Sequence, residues 1–317
     1  LNHPIFMARV TPPNVVIIGS LNVDHIAQVD HLPVPGETVA ATRLDKRLGG
    51  KGANQALAAA RQGVQATLIG CLGDDSDGRD YRNYLRREGV NCSSLNTVRG
   101  GTGIAFISVD AKAENQIVVI PGANAALTAP AVRMQRARIA VAKALLLQLE
   151  IPLETAVEAI LIANETHVPA ILNASPIRAD FPWGTVKIEV LIVNETEAES
   201  IFGDIARSQD LKTWAGLLSD RAIHHVIITR GGHSTRVISK TRLLAVPVHP
   251  VKPVDTVGAG DTFAGAFTAH FAEGTAIEES VRWANAAAAL STLKSGAQEG
   301  VPYRGDVQSA LTQASAQ

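Results

Sequence analysis

The chain has 317 residues, 46% hydrophobic and 19% charged, with 29 basic against 30 acidic side chains and a formal net charge of −1. At about 150 residues per domain this length allows one large domain or two around a sizeable core, and the balanced, unclustered charge argues against a nucleic-acid surface or an anionic membrane patch. Only two cysteines occur, Cys71 and Cys92, in no CxxC pair, which argues against a disulfide framework or a thiolate zinc site and points to reduced cytoplasm.

Residues 1–13, LNHPIFMARVTPP, lack a basic stretch followed by an apolar one, and the opening Leu points to a trimmed or foreign end. They are read as a disordered tail, and residues 14–317 as the domain. NVVIIGS is the first predicted strand. Asp24 to Leu48 then breaks any strand–helix rhythm before GGKGANQALAAARQG, where a helix is predicted over Ala53 to Gln62. ATLIGCLG is the next strand, and GDDSDG (Gly73 to Gly78), which lacks the calcium-loop spacing, is a turn that starts a helix. TGIAFISVD and NQIVVI read as strands around the turn AKAEN, with apolar residues on both faces: Ile104 and Phe106 on one, Ala105 and Ile107 on the other. The segments 24–48 and 103–120 are therefore taken together as a small separate sheet, a lid with one face for substrate and the other for a second subunit; edge strands of the main sheet are the alternative.

KALLLQLE, PAILNAS, EVLIVNE and HVIITRGG follow as strands apolar on both faces, with a helix over Thr155 to Ala163 between the first two. No apolar run reaches the roughly 18 residues of a membrane span, since Ile139 to Leu149 is broken by Lys143 and Gln148. From Gly260 onward the pattern is helical. Buried strands alternating with helices predict an α/β three-layer sandwich with a mostly parallel central sheet, whose ligands sit beyond the carboxyl ends of the strands.

Three stretches could carry chemistry. In GGKGAN, Lys51 stands at the positive end of a helix dipole, where local stability favours an acid; it and Asn54 either donate to the oxygens of a polar ligand, or Lys51 is a solvated residue on a flexible turn. In NETEAE, Asn194 and Glu197 share a helix face, so they either cap a helix or hold hydrated Mg²⁺. In DTVGAGDTF (Asp255 to Phe263), a glycine turn opening a helix offers free amides to a phosphate, and Asp261 follows at once, either as a first-turn acid or as a group that acts on the ligand. No GxxxxGK[ST] or GxGxxG motif occurs, and His224, His225 and His233 have no metal spacing.

Together these stretches resemble the ribokinase family of carbohydrate kinases, the PfkB superfamily, from about Val15 to Leu311. GGKGANQALAAARQG and DTVGAGDTFAGAF carry the resemblance; GSLNVD, PGANAALT, LLLQLEIPLET, NETEAE and AAAALSTLKSGAQEGVP support it. It implies a sugar site formed by Asn22, Asp24, Gly50, Lys51, Gly52, Asn54 and Glu150, with Asp261 as catalytic base. It implies an ATP site at Asn194, at Thr229, Arg230, Gly231, Gly232, His233 and Ser234, at Gly260, and at Asn285 near the adenine. It further implies an anion hole at Val257, Gly258, Ala259 and Gly260, and Mg²⁺ near Asn194 and Glu197. The implied K⁺ site takes the Asp255 carboxylate and main-chain oxygens of Val257, Ser291, Lys294 and Gly296, with Gly300 where the family commonly has a serine. A homodimer through the lid is implied too.

The expected reaction is transfer of the ATP γ-phosphoryl group to the primary hydroxyl of a pentose, D-ribose first, giving ribose 5-phosphate. A sister kinase for 2-deoxyribose, fructose or a nucleoside is the near alternative, and a non-catalytic sugar-binding regulator the alternative from another class.

Overall fold

The computed structural model describes residues 12–112 and 114–315. Residues 1–11 of the predicted tail, and Ala113 of the predicted turn AKAEN, lie outside them; Pro13 accepts a backbone hydrogen bond from Gln65 at 2.9 Å. The described chain begins with β1 (Asn14–Ile18), β2 (Asn22–Val29), β3 (Ala41–Gly49), α1 (Lys51–Arg61), β4 (Gln65–Gly73), α2 (Ser76–Arg87), β5 (Asn91–Val98), β6 (Gly103–Val109) and β7 (Asn115–Ile120). It continues with α3 (Ala129–Arg133), α4 (Arg136–Ala140), β8 (Ala144–Leu147), α5 (Leu153–Glu165), β9 (Ala170–Asn173), β10 (Ile188–Asn194), α6 (Glu195–Phe202) and α7 (Leu211–Asp220). The last elements are β11 (Ile223–Arg230), β12 (His233–Ser239), β13 (Leu243–Val246), α8 (Ala259–Ala272), α9 (Ile277–Ser291) and α10 (Arg304–Ser315).

Nine strands form the main sheet in the order β13-β12-β11-β10-β9-β8-β1-β4-β5. The seven from β11 to β5 run parallel, and β12 and β13 add an antiparallel edge. The pleat explains why β1 is apolar throughout. Val15 and Ile17 enter a layer with Ala53, Phe263 and Phe267 of α1 and α8, while Val16 and Ile18 enter the opposite layer with Ala156 and Ile160 of α5. Each large aliphatic side chain buried in this way contributes about 1.5–3 kcal/mol.

The two segments that broke the rhythm form a separate four-stranded sheet, β3-β2-β6-β7. The chain enters it through β2 directly after the carboxyl end of β1, so the small sheet springs from the end of the main sheet where ligands are expected. Its edge strand β7 is exposed along its whole length.

Some boundaries differ from expectation for identifiable reasons. Helix α1 starts at Lys51 rather than Ala53, because Gly50 caps it with φ 88° and the Asn54 N–H already reaches the Gly50 carbonyl at 3.0 Å. Helix α2 follows GDDSDG as expected, capped by the Asp75 carboxylate, which accepts the Gly78 N–H. Cys71 and Cys92 are buried free thiols. No described helix is long and apolar enough to cross a membrane.

Candidate active site

The carboxyl ends of β11, β10, β9, β8 and β1 lie side by side, and the polar residues that follow the apolar strands collect there. Thr229, Asn194, Asn173, Gln148 and Ser20 all stand at or just past these ends. Helices α1 and α8 close the site from one side, each presenting its first turn.

Asp261 sits in the first turn of α8 and is 8% exposed. Gly258, the N-cap, adopts φ 77°, a left-handed conformation that glycine adopts without strain. Asn54 Nδ2 donates to Asp261 Oδ2 and Gln55 Nε2 to Oδ1, both at 2.9 Å. Each amide is anchored in turn. Gln298 Nε2 donates to Asn54 Oδ1 (2.7 Å), while Gln55 also donates to Asn173 Oδ1 (2.9 Å) and accepts from Gln148 Nε2 (2.6 Å). The sequence reading found Asn54 but missed Gln55, Gln148, Asn173 and Gln298. The available signal was a polar side chain ending an apolar strand, as in LLLQ and AILN, where only a partner at the sheet end makes burial tolerable.

On the predicted sugar side, Asn22 opens β2 and accepts Asn124 Nδ2 at 2.8 Å; Asn124, also missed, further bonds both backbone groups of Leu21. Glu150 accepts the Ser20 hydroxyl (2.5 Å) and the Lys51 N–H (3.3 Å), which ties the β8 end to the start of α1. Asp24 lies against Gly49, where an added Cβ would overlap its carboxylate. Burial first, then the negative fields of Glu150, Asp261 and Glu299, push the Asp24 carboxyl up to about 7. Burial lowers the affinity of Lys51 for its proton, but the carboxylates of Asp261, Glu150 and Glu197 outweigh it and the net shift is upward.

A cavity of about 140 Å³ brings together Lys51, Asn194, Glu197, Thr229, Gly258, Gly260 and Asp261, predicted from four separate stretches, with Asn173 among its walls. A larger groove of about 520 Å³, which includes Ile188 and Ile223, opens at the amino ends of β10 and β11, the end of a parallel sheet away from ligand chemistry. The smaller cavity is the candidate site.

Several predicted roles change in the structure. The Val257 N–H donates to Asp255 Oδ1 at 3.0 Å and the Ala259 N–H to the Thr256 carbonyl at 3.2 Å, because the turn needs both to close. Among the described residues no partner takes the amides of Gly258, Gly260 and Asp261, so the amides open to an anion lie one residue further into the helix than expected. Asn194 and Glu197 form a reciprocal capping box, each bond 2.8 Å, which uses Asn194 Oδ1 and Glu197 Oε2 but not Glu197 Oε1. Arg230 pairs with Glu195 at 2.9 Å and lines a separate groove with Arg236 rather than this cavity. Gly231 and Gly232 form the exposed hairpin turn between β11 and β12, His233 opens β12 at the surface, and the Ser234 carbonyl accepts from Arg230. Asn285 is buried, bonded to Thr235 and to the carbonyls of Val246 and Pro247, so its side chain ties α9 to β12 and β13. Its expected place near the adenine is therefore one of backbone and shape rather than of a free amide.

The Asp255 carboxylate accepts the Val257 and Gly296 amides and the Ser295 hydroxyl. Burial alone would raise its carboxyl, but these donors and Arg47 hold it below the ordinary range. Among the described residues no donor takes the carbonyls of Val257, Ser291, Lys294 or Gly296, and those of Ser291 and Lys294 both approach Gly300. Uncommitted hard oxygens beside an ionised carboxylate fit a monovalent cation. A Cβ at position 300 would overlap the Ser291 carbonyl, so glycine lets these oxygens close in where a serine would push them apart.

The pattern of the pfkB family carbohydrate kinase matches residues 12–304. A ribokinase from Haemophilus influenzae is 38% identical over 292 residues, covering 92% of this chain and 95% of that protein. One from Bacillus subtilis is 37% identical over 300 residues, covering 94% and 99%. The solved structure of Arabidopsis thaliana ribokinase complexed with ribose and ATP is 29% identical, with a TM-score of 0.86 over 95% of this chain and 99% of that one. The family pattern and the relatives both cover nearly the whole length, and the chain belongs to the pfkB family of carbohydrate kinases.

Proposed function

We propose that the protein transfers the γ-phosphoryl group of ATP to the primary hydroxyl of D-ribose, giving ribose 5-phosphate and ADP. The observation that carries this reading is the first turn of α8. There a carboxylate held by two amides, Asp261, stands beside the unpartnered N–H groups of Gly258, Gly260 and Asp261 itself. Asp261 accepts the proton of the attacking hydroxyl, and the amides take charge on the transferring group. Lys51 adds a fixed positive charge on the same cavity wall. Asn22, Asp24 and Glu150 suit the hydroxyls of a small sugar, and the lid carrying β2 covers them and excludes water.

Mg²⁺ beside Glu197 neutralises phosphate charge when bound. A monovalent cation is held by Asp255 with the carbonyls of Val257, Ser291, Lys294 and Gly296. The nucleotide lies against Asn194, Thr229 and the β11–β12 turn, with the adenine toward α9. Leu44, Phe106, Ile117, Val118, Val119 and Ile120 leave an apolar lid surface exposed, which suits a second copy of this chain. The cytoplasm, where ATP and reduced thiols coexist, is the compartment of this reading.

The deciding experiment is an ADP-release assay with Mg²⁺ and K⁺ over pentoses, hexoses and nucleosides. D-Ribose is expected to give the highest kcat/KM. Faster turnover of 2-deoxyribose or a nucleoside would reassign the acceptor, and sugar binding without ADP would return the chain to a non-catalytic role.

A further inference from the structure

The Asp261 carboxylate is gripped on both oxygens, and the two grips differ. One donor on Oδ2, from Asn54, leaves a carboxylate able to turn about its bond to Cβ; a second donor on Oδ1 removes that freedom. That second donor is Gln55, fully buried on α1. Its amide has one orientation, because Nε2 faces two acceptors, Asn173 Oδ1 and Asp261 Oδ1, while Oε1 faces the donor Gln148 Nε2. Turning it over would set oxygen against oxygen on one side and N–H against N–H on the other. Gln148 is itself fully buried, so the chain from Gln148 through Gln55 reaches Asp261 from the protein interior, where a donor to a charge counts most.

We infer that Gln55 is a positioning residue for phosphoryl transfer, its amide holding Asp261 Oδ1 so that the carboxylate of the base keeps one rotation. This inference rests on the reading of Asp261 as the base. The charged and titratable groups around Asp261 include Lys51 from α1, Asp24 from β2 and the Tyr81 phenol from α2. Gln55 differs from these in making a direct bond with a fixed direction.

The test compares the parent with Gln55→Met and Gln148→Met, using Asp261→Asn to identify the Asp261 signal. Loss of the Gln55 donor is expected to lower kcat about ten- to a hundredfold, the scale of one hydrogen bond to a charge, with the KM for sugar within about threefold. The acid limb of kcat moves up, because the ionised form has lost a donor. The Gln148→Met protein frees the Gln55 amide to turn, so the same limb moves by a smaller amount. Carboxyl ¹³C titration of Asp261 in the ligand-free protein reads the same displacement without turnover, so the inference is decided even where the kinase reading fails.

A purely structural Gln55 would lower the melting temperature and leave both titrations in place, which would overturn the inference. If Gln55→Met does not fold, Gln148→Met decides: a displaced titration supports the role and an unmoved one ends it.

Discussion

Three carboxylates, Asp24, Glu150 and Asp261, lie within one another's electrostatic reach, and each is held differently. Glu150 is fixed by a hydroxyl and a backbone amide, and Asp261 by two side-chain amides. Asp24 keeps its proton up to about pH 7, while its ordinary value is 3.8. Between about pH 4 and 7 the folded protein therefore holds a proton that the unfolded chain has lost, and stability falls as pH rises through that window. Asp24→Asn removes this titration. Its melting temperature, relative to the parent's, should climb from pH 4 to 7 and level off above; a flat difference across thermal melts refutes the assignment. Asp261→Asn should lower kcat by about 10²- to 10⁴-fold or more with little change in melting temperature, and near-full turnover would remove Asp261 from the base role. Asp261 was legible in sequence because an acid directly after an anion-binding glycine turn conflicts with the turn's own preference. Gln55 was not, because a glutamine inside a helix ordinarily reads as a solvated residue.

At the scale of elements, the start of α8 matters most. A Cβ at Gly258 would stand 2.7 Å from Ala297 Cα on a backbone at φ 77°. Gly258→Ala should therefore cost about 1–3 kcal/mol in denaturant melts and lower kcat as the amides lose their aim; unchanged turnover would argue that the anion hole lies elsewhere. Buried parallel strands were readable because both faces are apolar. The edges were harder. β5, NCSSLNTV, is mostly polar, β12, HSTRVIS, is polar over its first half, and β13, LLAV, is apolar but only four residues long. The lid was readable as two segments that lacked crossover helices, yet the pairing of β2 with β6, parallel and 81 residues apart in register, comes from tertiary structure alone.

At the scale of the whole molecule, the apolar lid surface sets the expected assembly. Val118 is 62% exposed on β7, and Val118→Lys should convert a dimer to a monomer in sedimentation velocity, because an unpaired ammonium would be buried in the contact. A parent that sediments as a monomer would remove the lid from this role. The order of the nine main strands could not be read from the sequence, since every buried strand there carries the same apolar signal.

The two sheets also divide the labour of recognition. Asn22 and Asp24 stand on the small sheet, whereas Asp261, Gly258 and Gly260 stand on a helix packed against the large one. On the proposed reading, part of the acceptor's recognition and the transfer chemistry thus stand on separate scaffolds joined at the Gly19–Leu21 connection. Drift in β2 can retune which hydroxyl compound is accepted while the transfer apparatus is inherited unaltered, so one frame can serve a lineage of kinases with different diets.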